Sequence, residues 1–351
     1  MPNRTPDNPG MKYLEPELVS NHLVQPLLLN RSGKTASFSF LCAIFNATEV
    51  CSASRKHHCY LMQIVVDELC RSPDELWKKY QDSGRICQPG SVPRLSKPIK
   101  KDSVRFVCIA DTHEKLAHIV SRIPPGDVLI HAGDLTNFGD KQELIKANDI
   151  FGKRIQSGKA AVMYFLGISG CLPHRYKIVI AGNHDLGFDD SEDLSLRGMS
   201  YRDRGTPQGY KLLTNCIYLQ DSEVKVYGIR IYGSSWHPLP GYSFSKERGQ
   251  PLLDKWNLIP EGIDVLVTHS PPLGHSDNFK GTRWGCSELL NTVEYRVKPL
   301  FHVFGHVHEQ NGATTNGSTT FINASICNHR LVPINDPIIF DIPLKDGISK
   351  A

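Results

Sequence analysis

Five short polar blocks each stand at the end of a run of apolar residues. Asp111-Thr112-His113 follows Arg105–Ala110, Gly133-Asp134 follows Val128–Ala132, and Gly182-Asn183-His184-Asp185 follows Lys177–Ala181. Thr268-His269 follows Asp264–Val267, and Gly305-His306-Val307-His308 follows Phe301–Phe304. The runs are short, rich in Val, Ile or Phe, and stopped by Gly or polar residues, which is how a buried strand reads. In open α/β sheets, ligands bind in the crevice beyond the carboxyl ends of the strands. A chain that ends five strands in metal-ligand residue types is constrained to gather those ends at one edge.

The spacing between the runs sets the fold class. Helical stretches at Glu114–Arg122 and Lys141–Phe151 alternate with the first strands, which implies βαβ units and parallel pairing. Further on, Cys216–Leu219, Val224–Tyr227 and Ile229–Tyr232 are short, alternating and separated by turns, so an antiparallel meander is expected there. Thr319–Asn323 and Pro337–Asp341 add two strands. The expected class is α/β, a layered α/β/β/α sandwich around two sheets. Three segments are read along the chain: 1–55 as a poorly ordered extension, 56–102 as a strand–helix appendage with a Pro-rich linker, and 103–351 as the catalytic domain. Within the appendage, Tyr60–Val66 reads as an edge strand. Ser72-Pro73-Asp74-Glu75 reads as a capping box opening a helix over Pro73–Tyr80, and Gln88–Lys101 as a surface linker. Lys153–Cys171, with an apolar centre, reads either as an extra strand or as an insertion with no catalytic purpose, the latter being favoured.

Hydrolysing a phosphoester at neutral pH needs a strong nucleophile and relief of negative charge on the phosphoryl oxygens. Two divalent cations about 3.5–4 Å apart supply both. A pair that close needs a shared anionic ligand, and Asp134 is the candidate bridge. Asp111 and His113, taken as alternating along an extended strand end, would point to one face and hold the first metal; His306 and His308 have the same spacing. Asn183 offers a neutral carbonyl oxygen. His184 is the candidate proton donor to the leaving oxygen, or a donor to the phosphoryl oxygens of the transition state, and Asp185 is expected to orient or polarise its ring. His131 and His302 lie inside strands and read as core residues. His118, His174, His237, His275 and His329 read as surface or loop residues, with His275 and Asn278 also considered for the substrate mouth.

Composition removes other classes. The net charge is +4 over 351 residues and no long basic run appears, so nucleic acid is not indicated. Phe38–Phe45 is too short to span a bilayer, no secretory signal pattern opens the chain, and the ten cysteines form no C-x-x-C pair. Cys51, Cys59 and Cys70 lie near His57 and His58, but their spacing matches no zinc module. A soluble, cytoplasmic protein is the expectation.

With these motifs in hand, the chain resembles the calcineurin-like metallophosphoesterase superfamily, whose pattern is D-x-H, G-D, G-N-H-D/E, a lone His, then G-H-x-H. Within it, the stretches Lys177–Leu186, Leu212–Glu223, Arg248–Gly262, Thr268–Gly274, Gly285–Val293 and Thr319–Ser325 look like the metallophosphoesterase-domain-containing branch known as adult-brain or fetal-brain proteins. The resemblance runs from about Val104 to Pro343 and, through Gln63–Glu68, reaches back towards Tyr60. It implies that Asp111, His113 and His308 hold one metal and Asn183, His269 and His306 the other, with Asp134 shared and His184 as the catalytic histidine. Some members carry Gly at the position of His306 and are inhibited by nucleoside monophosphate; here the His is present. Lys153–Cys171 and Gly274–Trp284 depart from the branch, the latter in the loop expected to touch substrate, so the departure bears on substrate preference more than on catalysis. The implied activity is hydrolysis of small phosphodiesters, cyclic AMP or GMP among them, by in-line attack of a hydroxide held between the metals. Nucleoside monophosphate would be the product, and no nucleic-acid or membrane partner is implied. Mn²⁺ is the first expectation for both cations, with Fe²⁺, Zn²⁺, Mg²⁺ or Co²⁺ as alternatives. A protein-phosphatase reading is disfavoured because Leu135-Thr136-Asn137-Phe138-Gly139, not Asp-Arg-Gly, follows the Gly-Asp block, while a small-molecule phosphomonoesterase stays an alternative. A non-catalytic nucleotide-binding scaffold is the alternative of a different class; no ligand is missing that would favour it.

Overall fold

A computed structural model describes residues 64–152 and 172–350. The expected strands form with their apolar side chains buried, apart from Tyr176 and Phe301 at strand starts, which are partly buried. They are β2 (Ser103–Ile109), β3 (Val128–Ala132), β4 (Tyr176–Ile180), β8 (Val265–Thr268) and β11 (Phe301–Phe304). Around them lie β1 (Gln88–Pro89), β5 (Ile217–Tyr218), β6 (Ser222–Val226), β7 (Ile229–Ser234), β9 (Asn278–Phe279), β10 (Thr282–Arg283), β12 (Gly312–Thr315), β13 (Thr320–Asn323) and β14 (Ile338–Pro343). One sheet has the order β14-β2-β3-β4-β5 and the other β1-β12-β13-β11-β8-β7-β6; β9 and β10 form a separate hairpin. The core strands β2–β3–β4 and β7–β8–β11–β13 are parallel throughout. Parallel strands buried on both faces read as continuous apolar runs, which is what made them legible.

Between the sheets lies one apolar layer that includes Phe106, Ile130, Ile178, Ile231, Val267, Val303 and Phe340. A second layer, on the outer faces, packs them against helices such as Lys141–Phe151, through Leu144 and Phe151, and Gln250–Trp256, through Leu252 and Trp256. This is the α/β/β/α sandwich. The two sheets meet at the site edge: Ala110, just past β2, bridges to Ser325, just past β13. Ala110 N–H donates to the Ala324 carbonyl and Ile326 N–H to that of Ala110. That bridge brings the ends of strands from different sheets within reach of one another.

Three expectations change. The meander does not form, because β5 pairs parallel to β4 in the first sheet and only β6 and β7 make an antiparallel hairpin in the second. The chain crosses between sheets after Leu219, at Asp221, whose φ of 46° turns it. Residues 64–66 are irregular rather than strand, and the rest of Tyr60–Val66 lies outside the described residues, as do Lys153–Cys171 and 1–55. The helix α1 (Pro73–Asp82) forms, but Ser72 makes no side-chain cap; Asp74 Oδ1 instead accepts the Arg283 N–H at 2.9 Å. Residues of the 56–102 segment pack onto the sandwich. Leu76, Trp77 and Tyr80 share a small core with Leu273 and Leu290, and Gln88–Pro89 pairs with β12. Among the described residues, no helix is long and apolar enough to cross a membrane.

Candidate metal centre

The strand-end blocks converge, but not with extended backbone. Asp111, His113, Asp134 and His306 have φ of 51°, 41°, 52° and 70°, left-handed values that cost a side-chain-bearing residue free energy and cluster at functional sites. The expected alternation of Asp111 and His113 along a strand is therefore replaced by a turn. Backbone bonds hold it: Asp111 N–H to the Gly133 carbonyl at 3.0 Å and His113 N–H to the Asp134 carbonyl at 3.1 Å. Two glycines permit the packing. A Cβ on Gly182 would collide with Asp134 Oδ1, and one on Gly305 with Asp111 Oδ2.

Asp111, His113, Asp134 and His308 direct one donor atom each into a region where all lie within 4.8 Å of one another. His113 Nε2 stands 3.2 Å from His308 Nε2, which is 3.5 Å from Asp111 Oδ1. His113 Nε2 is also 3.6 Å from Asp134 Oδ2. A second group adjoins the first. Asn183 Oδ1 is 2.9 Å from both His269 Nε2 and His306 Nδ1, which are 3.2 Å apart. His269 Nε2 lies 3.4 Å from Asp134 Oδ2, so a single carboxylate oxygen faces both groups.

The ring tautomers are fixed from behind. Carbonyl oxygens only accept, so the Nδ1 atoms of His308 and His269 carry protons donated to Asn328 and Ala132, each at 3.0 Å. Their Nε2 atoms are thereby aimed into the centre, the usual support for a ligating imidazole. The charges match. Burial alone would raise the Asp111 carboxyl, yet its hydrogen bond and ion pair with His308 hold it down at about 2. Burial pushes His113 down to about 3, favouring the neutral ring that can ligate. Burial would also lower His269, but the Asp134 charge raises it to about 9. Unpaired imidazole nitrogens facing carboxylates at such distances repel unless a proton or cation lies between them. The mixed N/O donor set thus fits divalent metal ions.

His184 sits beside the first group, its ring 5.0 Å from that of His113. Its Nδ1 donates to the Asn137 carbonyl at 2.8 Å, which leaves Nε2 outside that bond. Asp185 does not orient it. The Asp185 carboxylate instead accepts from Gly182 N–H, Leu135 N–H, Thr136 N–H and the Thr136 hydroxyl, at 2.7–3.2 Å. It stitches the Gly-Asp block to the Gly-Asn-His-Asp turn. Burial and the neighbouring Asp134 charge push its carboxyl up to about 6, against those four donors.

Other histidines divide differently from expectation. His131 and His302 are buried in the strands, paired at 2.8 Å with the hydroxyls of Thr112 and Thr268. His118 and His329 are exposed, but His174, His237 and His275 are not. His237 lies 6.0 Å from the His306 ring, and its Nε2 donates to the Ser243 carbonyl. His275 stacks on Phe321 at 3.7 Å, with Nδ1 bonded to Thr314 at 2.9 Å, so it belongs to the interior and not to the mouth. Asn278 opens the β9–β10 hairpin and accepts the Gly281 N–H at 3.1 Å. Sequence reasoning missed Ser325, whose hydroxyl donates to Asp111 Oδ2 at 2.6 Å. It also missed the rings of Tyr242, 5.2 Å from His184, and Tyr201, 5.0 Å from Tyr242. Trp284, 5.6 Å from His306, lies in the Gly274–Trp284 loop expected to touch substrate, but its ring was not singled out. A serine or aromatic carries no motif, and only the fold places it.

Comparison with known proteins agrees with the geometry. The family description "Calcineurin-like phosphoesterase" matches residues 104–310, which include Asp111, His113, Asp134, Asn183, His269, His306 and His308. A UPF0046 protein of Caenorhabditis elegans is 53% identical over 293 residues, covering 82% of this chain and 98% of its own. The human protein named metallophosphoesterase domain-containing protein 1 is 44% identical over 317 residues, with 85% of this chain and 90% of its own covered. The mouse protein of that name is 45% identical over 309 residues, covering 83% and 88%. With the donors in one centre and these relatives matched over most of their length, the chain belongs to the calcineurin-like phosphoesterase family.

Proposed function

We propose that this protein is a two-metal phosphodiesterase acting on small phosphodiesters, cyclic nucleotides among them, with nucleoside monophosphate as product. In this reading Asp111, His113 and His308 hold one cation, Asn183, His269 and His306 the other, and Asp134 is shared. Mn²⁺ is the preferred metal and the cytoplasm the expected location. The observation that carries the reading is Asp134 Oδ2, 3.6 Å from His113 Nε2 and 3.4 Å from His269 Nε2, between the two donor groups. When bound, the cations would acidify water and neutralise phosphoryl charge.

The chain's own residues supply the rest. Asp134 Oδ1 accepts the His184 backbone N–H at 2.8 Å, which ties the position of His184 to the shared ligand. The Asn137 carbonyl fixes the His184 tautomer, and a proton on Nε2 would pass to the departing alkoxide. Asn183, being neutral, adds an oxygen donor without repelling an anionic substrate.

The test is a panel of phosphodiesters and phosphomonoesters offered to metal-stripped protein, with each divalent metal added in turn. Mn²⁺-dependent turnover of bis-p-nitrophenyl phosphate and of cyclic AMP or cyclic GMP, exceeding that of p-nitrophenyl phosphate, is expected. Turnover confined to monoesters would replace this reading with a phosphomonoesterase. Nucleotide binding without turnover would replace it with a scaffold.

A further inference from the structure

We infer that Trp284 is a specificity-determining residue, its indole forming a wall beside His306 against which a planar ring of the substrate stacks. The inference rests on the phosphoester reading above and narrows it to esters carrying an aromatic or heteroaromatic group.

Trp284 is half-buried and belongs to none of the hydrophobic cores of the described residues, nor does its neighbour Phe279. Tryptophan buries a large apolar area when used for packing, so one left at the edge of a metal centre is not there for the core. Its indole lies 5.6 Å from the His306 ring at 53°. Phe279 supports it edge-on, 5.4 Å away at 71°.

The peptide of Trp284 is fixed at both ends. Its N–H donates to the Asp277 carbonyl at 2.9 Å, and its carbonyl accepts from Arg248 Nη2 at 3.1 Å. Arg248 Nη1 also holds the Gly285 carbonyl at 2.7 Å. The Asp277 carboxylate, buried under this loop, accepts from Gly274 N–H at 3.0 Å, Gly285 N–H at 3.2 Å and Arg283 Nη1 at 2.5 Å. These bonds span the base of the β9–β10 hairpin, whose tip turns at Lys280 and Gly281, both with positive φ. The backbone that carries the indole is thus fixed by hydrogen bonds and the ring itself is flanked by Phe279 and His306, so less freedom remains to be lost when a ligand stacks on it.

Stacking of a base on an aromatic side chain is worth roughly 5- to 150-fold in affinity. The test compares AMP with ribose 5-phosphate, which share phosphate and sugar and differ in the base, by calorimetry on the full-length, Mn²⁺-loaded protein. The wild type should bind AMP more tightly. Trp284→Ala should weaken AMP by about that factor while ribose 5-phosphate changes no more than about twofold, and Trp284→Phe should restore most of the difference. AMP should also quench indole fluorescence in the wild type, and that quenching should be missing from Trp284→Phe. Equal loss for both ligands would make Trp284 merely structural and overturn the inference. So would wild-type protein that binds AMP no better than ribose 5-phosphate, or that binds neither. If the base-dependent difference appears but no diester is hydrolysed, the phosphodiesterase reading fails and the stacking wall stands.

Discussion

Ser325→Ala tests whether the donor groups are held from behind as the geometry requires. Ser325 is buried, and its hydroxyl donates to Asp111 Oδ2 at 2.6 Å. The other support on that carboxylate from its own side is the His306 N–H, 3.0 Å from both oxygens. The carboxyl is ionised at neutral pH, held at about 2 by His308 against the opposing effect of burial. Removing a hydroxyl donor from an ionised buried acceptor costs about 1.5–3 kcal/mol. The metal-stripped variant should therefore unfold in urea with its stability lower by about that amount and its m-value unchanged. Outer-shell partners of a ligand are also worth roughly 10–100-fold in metal affinity. A calorimetric Mn²⁺ titration should show one of the two binding steps weakened by about that factor and the other within a few-fold. Equal weakening of both steps would refute the assignment of Asp111 to one metal. Unchanged stability and unchanged binding would refute the reasoning altogether.

Other consequences are open to measurement. His184→Ala should retain metal content yet lower kcat by roughly 10²–10⁴-fold, with a smaller loss for p-nitrophenyl than for alkyl leaving groups; equal losses would assign His184 to the phosphoryl oxygens instead. His308→Ala should abolish Mn²⁺-stimulated hydrolysis of bis-p-nitrophenyl phosphate with an unchanged circular dichroism spectrum, and wild-type turnover would remove it from the ligand set. His174 donates from Nε2 to the Pro124 carbonyl at 3.1 Å, and burial, followed by the Lys177 charge, lowers it to about 3. Its folded value lies below the unfolded one, so the unfolded chain takes up the proton first and stability falls as pH drops below about 6.5. At pH 5 that loss is about 2 kcal/mol for this residue. The stability of His174→Gln should decline less than that of wild type between pH 7 and 5 by about that amount; identical slopes would contradict the burial argument.

Much of this architecture was legible because parallel strands buried on both faces leave unbroken apolar runs. Phe301–Phe304 and Lys141–Phe151 have the expected bounds, and residues of all five blocks come together at one centre. What stayed hidden was set by contacts distant in sequence. The left-handed backbone of Asp111 and His113 depends on bonds to the loop after β3. β5 joins the first sheet because it finds β4 as a partner, a choice that local alternation does not encode. Asp185 adjoins His184 in sequence, yet four donors to its carboxylate, three of them backbone N–H groups, capture it. His174, His237 and His275 resemble loop histidines until the fold closes over them. Trp284 lies in a stretch with no motif, and only the bonds of its backbone to Asp277 and Arg248 and the Phe279 and His306 rings beside its indole reveal where it is held.

The central claim is one centre of two cations sharing Asp134. Electron paramagnetic resonance of the stripped protein titrated with Mn²⁺ tests it directly. Two equivalents should bind, and the six-line signal of isolated Mn²⁺ should give way to an exchange-coupled spectrum as the second site fills, with the coupling lost in Asp134→Ala. Saturation at one equivalent, or two equivalents giving only uncoupled six-line signals, would contradict the shared-ligand centre.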